Sequence, residues 1–263
     1  MLLVCPVKNG IFWQPMWPIE SSMSTQISSD TKVLLILTPV KAERAAVSSA
    51  VDRWTGSVPE SLRATSYENI VIEQIGVRGT NLRDILPRYM HSPIAGIITA
   101  GVAGALSPEL DIGDLVIDSA SSDTQRVADF MNTMSNSRRV YVGPVHTSKT
   151  MISTPEEKKK IFNETQAVIV EMENQITRQF ASRRNVPWLG IRAVSDTAFD
   201  HLPPEVMRFV NKSGNIRPWE VTMGLARRPL LIPQVIRLGK HTGIATQRLS
   251  DGIGAILRSG WPF

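Results

Sequence analysis

The sequence predicts an α/β fold: a single domain with a central, mostly parallel sheet flanked by helices. Two observations carry this. Short runs rich in Val, Ile and Leu alternate along the chain with helical patterns, the order that lays parallel strands side by side beneath covering helices. The 263 residues are 42% hydrophobic and 20% charged, which suffices for a sizeable core in one large α/β unit.

The elements follow in order. "KVLLILTPV" (32–40) is a compact, branched apolar run of strand length. "KAERAAVSSAVDRW" follows as a helix, with Ala45, Val47, Val51 and Trp54 spaced toward one face. "NIVIEQIG" (69–76) alternates as a strand does, and "NLRDILPRYM" (81–90) is helical until Pro87 disturbs it. "IAGIITAGVAGAL" (94–106) is a strand running into small residues, and "GDLVIDSA" (113–120) is another strand. Thr154, Pro155 and Glu157 open a helix over 154–166: an N-cap, a proline at the first helical position, and an acid three residues after the cap. The run "EEKKK" inside it reads as a solvated helix face. The strand "AVIV" (167–170), a helix from Asn174 to about Asn185, a break at Pro187 and the strand "WLGIRAVS" (188–195) complete the pattern.

Composition excludes several classes. The single Cys5 rules out an intramolecular disulfide and a cysteine-based zinc site. His91, His146, His201 and His241 show no metal-ligand spacing, so neither metal nor cofactor is expected. No apolar run approaches the ~20 residues of a membrane span. Pro6 and Lys8 break the N-terminal apolar stretch, which makes it a poor signal peptide, and a cytoplasmic location is expected. Residues 1–30 read as a flexible extension, with Met23 as a second candidate start. The net charge of +5 is concentrated: from Glu205 onward nine basic residues face three acidic ones. That distribution argues against a dispersed nucleic-acid-binding face.

The chemistry gathers where strands end. In open α/β sheets ligands bind outside the carboxyl ends of the strands. Glu171 and Glu173 follow the run "VIV", Asp196 follows "WLGIRAVS", and "TAGVAGAL" supplies small residues where a ligand can approach the backbone. The glycine spacing is not G-x-G-x-x-G, so a dinucleotide site is a weak reading.

"TAGVAGALSPELDIGDLVI", "IVEMENQ" and "VPWLGIRAVSDTA" together resemble the nucleoside phosphorylase/nucleosidase superfamily. The nearest branch is that of the methylthioadenosine/S-adenosylhomocysteine nucleosidases. The likeness covers roughly residues 31–200 and implies a mixed, mostly parallel sheet and cleavage of the bond between a ribose and a nucleobase. By resemblance, Asp196 is the acid that protonates the departing purine, with Ser195 supporting it. Its place beside apolar strands favours the protonated carboxyl, and Asp at this position resembles the enzymes that release adenine. Glu173 resembles the ligand of the ribose hydroxyls, with Met172 against the sugar. Ala103 and Gly104 fall in the substrate-binding segment, and Met151 and Ile152 where the family packs the purine. Glu43 is the candidate base for an attacking water, although the acidic cluster usual here is reduced to "VKAER". Each has a plainer alternative: a helix cap for Asp196, core packing for Met151 and Ile152, a surface charge for Glu43. Glu171 reads as a surface or strand-end charge.

The phosphorylases carry a Gly-Asp-Pro-type segment that is absent here, which favours water over phosphate, though Arg44 and Arg78 are available to an anion. A domain over 31–204 is then followed by a basic helical extension over 205–263. Its sequence resembles the hopanoid-biosynthesis-associated branch, which is linked to an adenosylated lipid. Leu230, Leu231, Ile232, Val235 and Ile236 are candidates to line a lipid channel or touch a membrane surface. The expected partners are a nucleoside substrate and other copies of the chain in a homodimer or larger homo-oligomer, with no nucleic acid. A phosphate-dependent phosphorylase and a non-catalytic nucleoside binder are the alternatives.

Overall fold

The computed structural model describes residues 32–57, 69–134, 140–203, 211, 213–215 and 218–262, so the expected N-terminal extension lies outside the described residues. The strands are β1 (Val33–Thr38), β2 (Asn69–Gln74), β3 (Ile94–Ala105), β4 (Leu115–Asp118), β5 (Val140–Gly143), β6 (Val145–Thr147), β7 (Ile169–Glu171) and β8 (Trp188–Asp196). The helices are α1 (Lys41–Ser57), α2 (Leu82–Ile85), α3 (Thr124–Met134), α4 (Pro155–Thr165), α5 (Asn174–Arg183), α6 (Pro218–Arg227) and α7 (Ile232–Ser259).

The sheet runs β2-β1-β3-β8-β4-β5, with β7 attached to β3 and β6 to β7. Only the β4–β8 and β3–β7 pairings are antiparallel, so the expected mixed, mostly parallel sheet is what forms. Strand β3 is long enough to change neighbours: Val33–Leu37 of β1 pair with its first half, and β7 pairs at Gly104 and Ala105. Its register with β8 slips by one residue between Ala103 and Gly104, which sets Gly104 beside Asp196. Such irregularities re-aim side chains, and this one lies in the site.

Period-two alternation divides β1 between two cores. Leu34 and Ile36 pack with Val47, Trp54, Ile98, Ile191, Leu249 and Ile253 on one face; Leu35 and Leu37 pack with Ile75, Leu82, Ile97 and Trp188 on the other. Each fully buried aliphatic side chain contributes about 1.5–3 kcal/mol of transfer free energy.

Helix α4 starts as its sequence dictates. The Thr154 side chain accepts from Glu157 N and the Glu157 side chain accepts from Thr154 N, with Pro155 opening the helix. The segment 81–90 is helical until Pro87 disturbs it, as expected: α2 gives way to a 3-10 turn over Leu86–Tyr89, because Pro87 cannot donate to the helical ladder.

The C-terminal part is less of an appendage than its composition suggests. From Ala245 onward α7 is built into the main core through Leu249, Ile253 and Ile256. Trp261 is fully buried, and its ring lies 3.0 Å from where a Cβ on Gly96 would stand. The first half of α7 and the turn before it lie outward: Leu230, Ile232 and Ile236 are exposed. No described helix is long and apolar enough to cross a membrane.

Candidate active site

Strand β8 is buried along its whole length, yet it carries a guanidinium at its centre. Arg192 Nη2 donates to Glu171 Oε2 at 2.7 Å and to Asn174 Oδ1 at 2.8 Å, and lies 3.6 Å from Glu173 Oε2. Glu171 is a strand-end charge, closing β7, but it is buried and not on the surface. Its Oε2 also accepts the backbone N–H groups of Glu173 and Asn174, both at 2.7 Å, and its Oε1 accepts from the Thr147 hydroxyl at 2.5 Å. A carboxylate suits this position because the first turn of α5 presents unpaired N–H groups and the positive end of the helix dipole. Asn174 extends the network by donating to Asp118 Oδ2 at 3.0 Å.

Glu43 enters from the start of α1. Its oxygens accept from Val40 N at 2.9 Å and Val102 N at 2.8 Å, which fastens the helix to β3. Burial raises its pKa, against the pull of the Val102 N–H and of Arg192. Glu173 accepts from Arg78 N at 2.8 Å. Burial pushes its pKa up to about 7; Arg192 opposes the rise and the Glu171 charge adds to it. For Arg192 burial works against the charge, but Glu171 and Glu173 more than offset it, so the guanidinium is held more firmly protonated than usual. Arg192 Nε and Nη1 are buried and donate to no described protein group.

Asp196 closes β8. Its Oδ1 lies 2.8 Å from the Ser195 hydroxyl, which is 3.2 Å from the Ala103 carbonyl. Its Oδ2 accepts from Lys158 Nζ at 2.5 Å, so the carboxyl has an ammonium as its neighbour rather than apolar strands alone. This corrects the reading of "EEKKK": Lys159 and Lys160 are solvated, but Lys158 turns inward and is fully buried.

The small residues of β3 also make room for side chains of neighbouring elements. A Cβ on Gly101 would stand 2.8 Å from Glu43 Oε1 and 3.0 Å from Arg192 Nη1, and one on Gly104 would stand 2.8 Å from Asp196 Oδ2. These glycines admit the protein's own carboxylates into the strand layer. Of the other anticipated residues, Ala103 is buried, Met172 and Met151 are half-buried, and half-buried Ile152 packs on Leu106, Ala167 and Val170. Arg44 is exposed, and the Arg78 guanidinium donates to the Lys149 carbonyl at 3.1 Å.

The site thus combines three buried carboxylates around one guanidinium with a separate lysine-bound carboxylate across β3. Residues 124–216 match the family model described as the Phosphorylase superfamily. The chain shares its fold with solved nucleosidase structures. Futalosine hydrolase from Helicobacter pylori is similar with a TM-score of 0.60 at 13% identity, covering 87% of this chain and 98% of that one. A 5′-methylthioadenosine/S-adenosylhomocysteine nucleosidase of the same organism reaches 0.58 at 11% identity, with 87% and 98% covered. The corresponding nucleosidase from S. pneumoniae reaches 0.58 at 16% identity, with 86% and 99% covered. No curated protein matches the chain.

Within this fold, Glu43, Glu173, Ser195 and Asp196 all come to the ends of β1, β3, β7 and β8, where the strand-end rule places ligands. Arg192 and Lys158 were missed as site residues. A lone arginine inside a nine-residue apolar strand was a usable signal, since an arginine is almost never fully buried unless paired. Lys158 left no such mark among its charged neighbours. Among the described residues no group of three or more His, Cys, Asp or Glu is arranged to hold a metal.

Proposed function

We propose that the protein hydrolyses the N-glycosidic bond of an adenine nucleoside that carries a 5′ substituent, such as methylthioadenosine or adenosylhomocysteine. The observation that carries this reading is the pairing of the buried Glu43–Arg192–Glu173 group with Asp196 on the two sides of Gly101–Gly104. Glycosidic cleavage develops positive charge on the sugar and negative charge on the base. Glu173 accepts from the 2′- and 3′-hydroxyls and, as an anion, stabilises the cationic sugar. Glu43 takes the proton of the attacking water, a task helped by the upward push of burial on its pKa. Arg192, through the two nitrogens without a protein acceptor, orients that water or a ribose oxygen. Asp196, steadied by Ser195, protonates the leaving purine. Met172 lies against the ribose, Met151 and Ile152 against the base, and Ala103 and Gly104 at the base edge.

Water is favoured over phosphate by charge. Glu43, Glu171 and Glu173 outnumber the single buried guanidinium, and a phosphate brought among them meets like charge in a low-dielectric site. A larger adenosyl-lipid substrate is the second reading. It is favoured by the apolar side chains of Trp219, Leu230, Ile232 and Ile236, exposed on a segment whose sequence carries Arg227, Arg228, Arg237 and Lys240 and no Asp or Glu from 227 to 248. A homo-oligomer remains the expected working form.

The test is adenine release, followed by chromatography, from methylthioadenosine, adenosylhomocysteine and deoxyadenosine, with and without phosphate. Release without phosphate supports the hydrolase. Release only with phosphate overturns the choice of water. No release, with saturable binding of the nucleoside, replaces the enzyme reading with that of a binder.

A further inference from the structure

Lys158 is a lysine with no solvent contact, on a helix whose neighbouring lysines are solvated. A buried ammonium is retained only where its donors are matched. Here three acceptors surround Nζ: Asp196 Oδ2 at 2.5 Å, the Thr197 carbonyl at 2.6 Å and the Asp200 carbonyl at 3.4 Å. Three acceptors call for three N–H bonds, which only the charged amine has. The Asp200 carboxylate is engaged elsewhere, with Thr197 N and Oγ1 at 2.9 Å and Arg237 at 3.3 Å. Asp196 is therefore the one carboxylate in ion-pair contact with Lys158 among the described residues. Packing alone does not account for this: an apolar side chain of similar length would fill the space without the desolvation of two charges.

Resting on the hydrolase reading above, we propose that Lys158 is a positioning residue that stores the proton Asp196 hands to the departing base. The Nζ–H bond breaks as the Oδ2–H bond forms, leaving a neutral amine and a carboxylic acid. As the C1′–N9 bond breaks, its electron pair moves onto the purine, and the Oδ2 proton passes to a ring nitrogen. Water adds to C1′ and gives its proton to Glu43; once the products leave, Glu43 loses that proton to solvent and a proton from solvent restores the ammonium.

The role is separated from a structural one by changing the leaving group. Adenine needs a proton to depart; p-nitrophenolate does not. Wild type, Lys158→Met and Lys158→Arg would be compared by kcat on methylthioadenosine and on the p-nitrophenyl glycoside of 5-methylthioribose. Lys158→Met is expected to lose about 10²–10⁴-fold on methylthioadenosine, the range of general acid catalysis, and less than about tenfold on the nitrophenyl glycoside. Lys158→Arg keeps the charge but cannot release its proton, and shows the same selective loss. It carries the test if the methionine variant does not fold. Equal losses on both substrates, or no loss on either, overturn the proposal while leaving the hydrolase reading intact. A wild type inert toward both substrates removes the hydrolase reading and this proposal together.

Discussion

The guanidinium of Arg192 and the carboxylate of Glu171 meet at 2.7 Å with only 1% of either side chain exposed. Glu171 is itself held by the first N–H groups of α5, so the ion pair joins that helix to the middle of β8. Removing one member leaves a buried charge without compensation. Arg192→Met is expected to cost about 3–5 kcal/mol, because Glu43, Glu171 and Glu173 then share a dry site with no counter-charge. Urea unfolding of the two proteins measures this; a change under about 1 kcal/mol contradicts the pairing.

Glu173 gives the reaction a pH limb. Its pKa is pushed up from 4.5 to about 7 by burial, so the carboxylate proposed to bind the ribose hydroxyls fills in only as pH rises through 7. KM for the nucleoside should therefore rise about tenfold for each unit below pH 7 and level off above it. Stability has the opposite sense. A raised carboxyl favours folding fully below 4.5, and that contribution is lost as pH climbs through 7. Glu173→Gln should bind weakly at every pH and show neither limb, as steady-state kinetics and melting curves from pH 5 to 9 will report.

Asp196→Asn keeps the shape of the side chain and a partner for the Ser195 hydroxyl, but has no proton to give. Adenine release should fall by about 10²–10⁴-fold while calorimetric binding of methylthioadenosine changes by less than about tenfold. Full activity in this variant removes Asp196 from the acid role.

Gly104→Ala sets a methyl 2.8 Å from Asp196 Oδ2, an oxygen that cannot withdraw because Lys158 holds it. Gly101→Ala does the same to Glu43 and Arg192. Each should lower kcat about 10²-fold, the effect of misplacing a reacting group by about 1 Å, and cost about 1–3 kcal/mol of stability. Gly56→Ala is the control: nothing lies within 4 Å of its added Cβ, and a helical alanine should be neutral or stabilising. Paired kcat and Tm values decide between displacement of the site and general damage.

Much of this was legible because its signals are local. The capping box at Thr154 and Glu157 is a four-residue pattern, and it forms as read. The branched run before Asp196 has the composition of a buried strand, and it is one. Helix α3 and the short strands β5 and β6 were not anticipated; β5 and β6 are only 4 and 3 residues long, too short for a periodic signal. Lys158 was misread because burial of one lysine in "KKK" is decided by Asp196, thirty-eight positions away. The burial of Glu171 was not legible because its partners, Thr147 and Arg192, come from other strands. The use of Gly101 and Gly104 was hidden for the same reason: only the folded sheet reveals which side chain fills the missing Cβ.

The seating of Trp261 against Gly96, and of the Ser250 hydroxyl on the Ala46 carbonyl across 204 positions, bears on how the chain comes into being. A ribosome delivers the β1–α1 unit well before α7. Until Leu249, Ile253 and Ile256 emerge, the face of the sheet they cover lies open. Closure of so non-local a core is intrinsically slow, and the nascent protein must keep that apolar surface out of trouble meanwhile. A stalled or truncated product ending before Ala245 should therefore fare as a client of chaperones and proteases rather than as a smaller working enzyme.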